Sequence, residues 1–273
     1  LRKTLFILPH LFTCSSIFCG LYAALICASS PSSDDFYRAA LLIVFAMFFD
    51  TVDGRVARLT RTQSAFGVQL DSLADVVSFG VAPAVLVYKW SLAALGTVGI
   101  LGCFTFVAAG AIRLARFNVL AMGEHGAPKK PGKYILGLPI PGAAGILVSL
   151  VVANHAVAGR LPGSPVIILL VVVALSFFMV STIRFRSLKD IELNWRTMAF
   201  VFLAVGSSAV IALRFHVSFA LVWLLASYIA IGLVEAFLGL SRRSAARRKE
   251  KRHARQGNME SEPPAAAEVP APS

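Results

Sequence analysis

Residues 50–75 read Asp50-Thr-Val-Asp53-Gly54-Arg55-Val-Ala57-Arg58-Leu-Thr-Arg61-Thr-Gln-Ser64-Ala-Phe-Gly67-Val-Gln-Leu-Asp71-Ser-Leu-Ala-Asp75, and this run decides the fold. Four of the chain's 14 acidic residues fall inside it. Asp50 and Asp53 are three apart and Asp71 and Asp75 four apart, so each pair shares one face of a helix. The polar stretch Leu59–Ser64 between them predicts the turn of a helical hairpin. Asp53 precedes Thr60 by seven residues and Asp71 follows Ser64 by seven. At a rise of about 1.5 Å per residue both lie about 10 Å from the turn, at one level of two antiparallel helices.

Outward from the hairpin the chain is apolar. Hydrophobic residues make up 57% of the 273 positions and charged residues 15%, with a mean hydropathy of +0.75. A soluble chain carries about a quarter charged residues, so this composition excludes an ordinary water-soluble domain. A spanning helix needs about 20 apolar residues. Eight stretches meet that measure, at 11–29, 36–57, 67–88, 92–117, 136–157, 164–183, 197–213 and 216–239. The expected fold is an all-α polytopic transmembrane bundle of about eight spans, with residues 1–240 as its catalytic domain. Gly137, Pro139, Pro141 and Gly142 predict a kinked or irregular entry to the fifth span. The first apolar run lacks a clear small-residue cleavage site and is expected to stay as a span.

Basic residues orient the bundle. With an even number of spans, 22 of the 26 Lys and Arg fall on the side of both termini, and Arg38, Lys89, Arg160 and Arg214 on the other. The positive-inside rule makes the first side cytoplasmic, and the hairpin turn lies there. The net charge of +12 is thereby explained by topology rather than by nucleic-acid binding. Residues 241–273 begin with a basic run, Arg242 to Arg255, and continue rich in Pro, Ala and Glu. They read as a disordered cytoplasmic tail whose basic part can lie on anionic headgroups. Cys14, Cys19, Cys27 and Cys103 form no CxxC pair and read as reduced packing residues.

Four carboxylates at one level inside a membrane protein need compensation. Arg55, Arg58 and Arg61 sit nearer the headgroups, whereas divalent cations suit an all-oxygen ligand set: Mg²⁺, Mn²⁺ or Ca²⁺. Two such ions balance four aspartates and can clamp the oxygens of a phosphoryl group during displacement. The hairpin spacing alone also fits interhelical salt bridges, or the cation path of a transporter.

The residues around the aspartates narrow the choice. The pattern Asp50-x-x-Asp53-Gly54-x-x-Ala57-Arg58, eight residues, Gly67-x-x-x-Asp71-x-x-x-Asp75 resembles the signature of the CDP-alcohol phosphotransferases at all eight fixed positions. The resemblance implies that Asp50, Asp53 and Asp71 ligate two divalent metals. It implies that Asp75 approaches those metals and is the general base. It also implies that Asp50, Gly54, Ala57, Arg58 and Gly67 bind the CDP moiety, the small residues letting a nucleotide approach the backbone and Arg58 pairing with phosphate. Asp71-Ser-Leu-Ala-Asp75-Val-Val-Ser-Phe-Gly-Val-Ala-Pro-Ala84, Arg113-Leu-Ala-Arg116-Phe-Asn118 and Gly137-Leu-Pro-Ile-Pro141 are similar to the membrane-integral phosphatidylserine synthases within that family. So is Pro9-His-Leu-Phe-Thr13, with His10 where Asn is usual.

The reaction so implied is CDP-diacylglycerol plus L-serine giving phosphatidylserine and CMP, in a homodimer of a prokaryotic cytoplasmic membrane with its site facing the cytoplasm. Glycerol-3-phosphate, inositol and choline are the alternative acceptors within the class. Arg113 and Arg116, three apart at the cytoplasmic end of span four, either hold the lipid phosphate or serine carboxylate or anchor headgroups. Ser78 either bonds substrate or satisfies its own helix carbonyl.

Overall fold

The computed structural model describes residues 2–29, 31–60, 62, 64–121, 134–157, 164–181, 184–186 and 207. Its helices are α1 (Arg2–Ala28), α2 (Ser33–Leu59), α3 (Ala65–Asp75), α4 (Ala82–Trp90), α5 (Thr97–Ala121), α6 (Ile140–Ala156) and α7 (Pro165–Val180). A π-helical segment, Val76–Val81, joins α3 to α4 as one rod, and a 3₁₀ turn, Leu92–Leu95, leads into α5. The first six expected spans thus appear as helical rods. The spans expected at 197–213 and 216–239 and the tail at 241–273 lie outside the described residues, Ser207 apart.

Among the described residues three rods are long and apolar enough to cross a membrane: Pro9–Ala28, Ala65–Trp90 and Thr97–Leu120. Their outward faces carry Phe18, Leu21, Leu25, Leu101 and Phe104, all exposed. Inside, Phe79, Phe106, Leu86, Leu138, Ile140, Leu147 and Met179 are fully buried, with α6 contributing Ala143, Ala144, Leu147, Val148 and Val151. Cys19 and Cys27 belong to this interior and Cys103 is half-buried, all as free thiols. Cys14 departs from the packing role expected of it: it faces outward.

Local sequence explains the ends of the hairpin. The Ser32 hydroxyl and Asp35 form a reciprocal capping box at the start of α2. The two hydrogen bonds from Ser32, backbone first, hold the Asp35 carboxyl below its ordinary range. At the other end α2 stops at Leu59, and the Thr62 N–H turns back to the Ala57 carbonyl at 3.0 Å. Ser64 then caps α3, its hydroxyl accepting from the Gly67 N–H at 3.0 Å.

The π segment sits immediately ahead of Pro83, which has no N–H to donate and so releases the regular ladder behind it. The Ala82 N–H reaches the Val77 carbonyl instead.

An antiparallel ribbon of β1 (Tyr134–Leu136) and β2 (Arg184–Arg186) is an addition that hydropathy does not announce. It ties the entry of α6 to the exit of α7, and the Leu138 N–H continues the link to the Phe178 carbonyl at 3.0 Å. Gly137 makes the irregular entry expected there, at φ +74. A Cβ at that position would stand 2.3 Å from the Met179 carbonyl oxygen. Gly137→Ala combines a left-handed backbone with a clash against main chain, so a loss of at least about 1–3 kcal/mol is expected. A lowered Tm of the detergent-solubilised protein checks it.

Candidate active site

Helix α1 packs against both arms of the hairpin, and the carboxylates of α2 and α3 meet beside it. Asp50, Asp53 and Asp71 each offer an oxygen, and these lie within 4.8 Å of one another. Asp53 is buried, while Asp50 and Asp71 are half-buried. Asp50 is also within hydrogen-bonding reach of Asp71 and Asp75, so it is the hub of the four. Asp75 stands outside the tight trio, one turn deeper along its rod, and its Oδ1 is enclosed with no hydrogen-bond partner among the described residues. The two pairs found by spacing are therefore brought together in space.

This set fits a divalent cation. Ligands of one hard ion stand no further apart than about twice the metal–oxygen distance, roughly 4–5 Å. The three oxygens meet that limit, and all are carboxylate oxygens, the donors Mg²⁺, Mn²⁺ and Ca²⁺ take. The Arg38–Asp35 ion pair and the contact of His155 with Asp34 lie at the opposite end of α2. An enclosed carboxylate oxygen without a donor beside three more carboxylates is an arrangement a cation relieves.

The other expected residues divide. Gly54 leaves an open notch on α2 that Arg58 covers, its Nη1 standing 3.7 Å from where a Cβ would be. Ala57 is half-buried in the last turns of that helix. Gly67 faces His10: a Cβ there would meet the His10 Cε1 at 3.2 Å, and the imidazole sits edge-on to Phe66 with centroids 5.5 Å apart. The small residue at 67 thus makes room for the His10 side chain of α1.

Arg113 lies near enough to Asp75 to act on it electrostatically. Arg116 points elsewhere, donating to the Val180 carbonyl at the end of α7 at 3.3 Å. Ser78 is fully buried and turned toward α1, donating to the Ser16 carbonyl at 2.9 Å and accepting from the Ser16 hydroxyl at 3.2 Å. Its hydroxyl serves neither its own helix nor the carboxylate pocket.

Two sets of polar contacts carry no mark in the hairpin signature. Thr13 on α1 donates to Asp53 Oδ2 at 2.6 Å. Asn118 on α5 donates to Ser72 at 2.9 Å and to Gln69 at 3.2 Å, fixing α3 beside Asp71. Both are long-range in sequence. The small or polar residues Thr13, Ser16 and Gly20, on one face of an otherwise apolar helix, were the available signal for the first.

The CDP-alcohol phosphatidyltransferase family matches residues 6–178. The chain is similar to a CDP-diacylglycerol–serine O-phosphatidyltransferase of Helicobacter pylori, with 37% identity over 206 residues covering 76% of this chain and 82% of that protein. A protein of the same description from Bacillus subtilis is 35% identical over 182 residues, 67% of this chain and 91% of the relative. An archaetidylserine synthase of Methanothermobacter thermautotrophicus is 37% identical over 149 residues, 54% and 57% of the two chains. The matched region includes all four aspartates and runs from α1 into α7, well over half the chain, and on that ground the protein belongs to the CDP-alcohol phosphatidyltransferase family.

Proposed function

We propose that this membrane protein transfers the phosphatidyl group of CDP-diacylglycerol to the hydroxyl of L-serine, giving phosphatidylserine and CMP. The observation that carries the reading is the meeting of both aspartate pairs at one place, in a chain whose relatives, matched over 82% and 91% of their length, are described as serine O-phosphatidyltransferases. Asp50, Asp53 and Asp71 would hold divalent metal, two ions of Mg²⁺ or Mn²⁺ matching the charge of the aspartates, with Ca²⁺ as the further oxygen-seeking candidate. When bound, such ions neutralise charge that develops on the phosphoryl and leaving-group oxygens.

In this reading the chain's own groups do the rest. Gly54, Ala57 and Gly67 are small enough to let the nucleotide approach the helix backbones once Arg58 and His10 turn off the two glycines, and Arg58 pairs with a phosphate oxygen. Asp75 accepts the proton of the serine hydroxyl as that oxygen attacks the lipid-side phosphorus. The bond from that phosphorus to the bridging oxygen breaks, and CMP departs with the oxygen. Its place beside Asp75 suits Arg113 to the serine carboxylate or the lipid phosphate. We assign Ser78 and Arg116 to packing, because each is bonded to the fold away from the pocket.

The hairpin turn lies on the side that the distribution of Lys and Arg makes cytoplasmic, and in this reading the carboxylate site faces that side. In this reading the enzyme is a homodimer in a prokaryotic cytoplasmic membrane, with about eight spans and a basic cytoplasmic tail.

Purified protein given CDP-diacylglycerol, Mg²⁺ or Mn²⁺ and labelled serine is expected to release CMP and label the lipid product. Chelation is expected to stop release and added Mg²⁺ or Mn²⁺ to restore it. Turnover with glycerol-3-phosphate, inositol or choline but not serine would reassign the acceptor. Cation uptake into sealed vesicles without CMP release would replace the enzyme by a transporter.

A further inference from the structure

We infer that Thr13 on α1 is a positioning residue for the carboxylate pocket, its hydroxyl setting the orientation of Asp53 and through it the affinity for a divalent cation. The inference rests on the metal-binding reading above and adds to it a control element on a helix outside the aspartate hairpin.

Consider first what the hydroxyl can do. An ionised carboxylate only accepts, so Thr13 must be the donor in its 2.6 Å contact with Asp53 Oδ2. That length is typical of a strong charge-assisted O–H···O⁻ bond. The other acceptor in range, the Pro9 carbonyl one turn back, is at 3.1 Å. A hydroxyl carries one proton, and the shorter and charged partner takes the larger share of it. Thr13 is 4% exposed and Asp53 5%, so water hardly competes for either group.

Now consider where the bond sits. Asp53 is the most deeply buried member of the trio whose oxygens lie within 4.8 Å of one another. Four carboxylates at close quarters repel, and side-chain torsions that let them turn apart would relax the set. A donor clamped on Asp53 opposes that relaxation. It also fixes the rotation of the carboxylate group, so that its remaining acceptor sites keep one direction. Partners of this kind around ligand residues commonly set metal affinity.

The clamp has a frame behind it. Thr13, Ser16 and Gly20 are spaced three and four apart and share one face of α1. Thr13 bonds α2, Ser16 bonds Ser78 in the π segment that follows Asp75, and Gly20 lets that segment approach. His10, one turn before Thr13, abuts Gly67 on α3. One face of α1 therefore touches both arms of the hairpin and holds them at a common level.

The test measures binding of Mn²⁺ alone to the purified full chain, by the electron paramagnetic resonance signal of free Mn²⁺ and by the rise of Tm with added Mn²⁺. Thr13→Val keeps shape and removes the hydroxyl; its Mn²⁺ dissociation constant is expected to rise about 10- to 100-fold. Thr13→Ala is expected to behave in the same way, which keeps the test independent of how valine packs. Thr13→Ser keeps the donor and is expected to bind close to wild type. Wild-type affinity in both the Val and Ala variants overturns the inference while leaving the metal reading intact. A serine variant as weak as valine also overturns it, because the methyl group and not the hydroxyl would then be responsible. Failure of the wild type to bind Mn²⁺ overturns the metal reading and the inference together.

Discussion

CMP release from CDP-diacylglycerol and serine is expected to fall about 10²- to 10⁴-fold in Asp75→Asn, the range that a positioned general base contributes. Asparagine preserves the shape of the side chain and its place one turn from Asp71, but it cannot accept the serine proton. The enclosed Oδ1 makes this position sensitive, since no described donor competes for it. Asp71→Asn is expected to lose as much or more, for a different reason: it takes the negative charge from one of the three ligand groups whose oxygens lie within 4.8 Å of one another. The two variants separate by a second measurement. Neutralising either aspartate lowers repulsion in the metal-free pocket, so the metal-free Tm is expected to hold or rise in both. The Tm gain on adding Mn²⁺ should vanish in Asp71→Asn and persist in part in Asp75→Asn, because ligand binding stabilises only a fold that can bind it. Rates like the wild type's in both variants would contradict the assigned roles.

A second large effect is expected at a contact between uncharged residues, in Gly20→Val. A Cβ at residue 20 would stand 2.7 Å from the Ser78 Cα and 3.1 Å from its Cβ. The first of these is backbone, inside a π segment whose hydrogen bonds are already displaced, and it cannot swing aside. Helix α1 must back away, lengthening the Ser16–Ser78 contact and the Thr13–Asp53 bond on the same face. Overpacking of this kind costs about 1–3 kcal/mol. The rate should suffer more than the stability: displacement of reacting groups by about 1 Å can lower turnover about 10²-fold. Tm in detergent and initial rate at a temperature where the variant is fully folded give the two values. Adding Ser78→Gly removes the Cβ and Oγ contacts but leaves the 2.7 Å contact to Cα, so it is expected to restore little. Full activity in Gly20→Val would show that α1 does not register the two arms.

Much of this protein was legible in its sequence, for reasons that are local or statistical. Hydropathy reports the solvent a helix can tolerate, and the rods from α1 to α7 follow it. Helical spacing puts Asp50 with Asp53 and Asp71 with Asp75, and a polar turn of known length brings two such faces level. The irregular backbone at Gly137 is likewise read from residues a few positions apart. What the tertiary structure alone decided depends on residues distant in sequence. It turned Ser78 toward α1, sent Arg116 to the end of α7 while leaving Arg113 near Asp75, and set His10 against Gly67. It also joined Thr13 to Asp53 and Asn118 to Ser72, and paired β1 with β2. A side chain's direction follows from how its helix is rotated against the next, and that rotation is set by packing across the bundle. A pattern of three and four residues fixes which side chains share a face of one helix; only the assembled neighbours fix what that face meets.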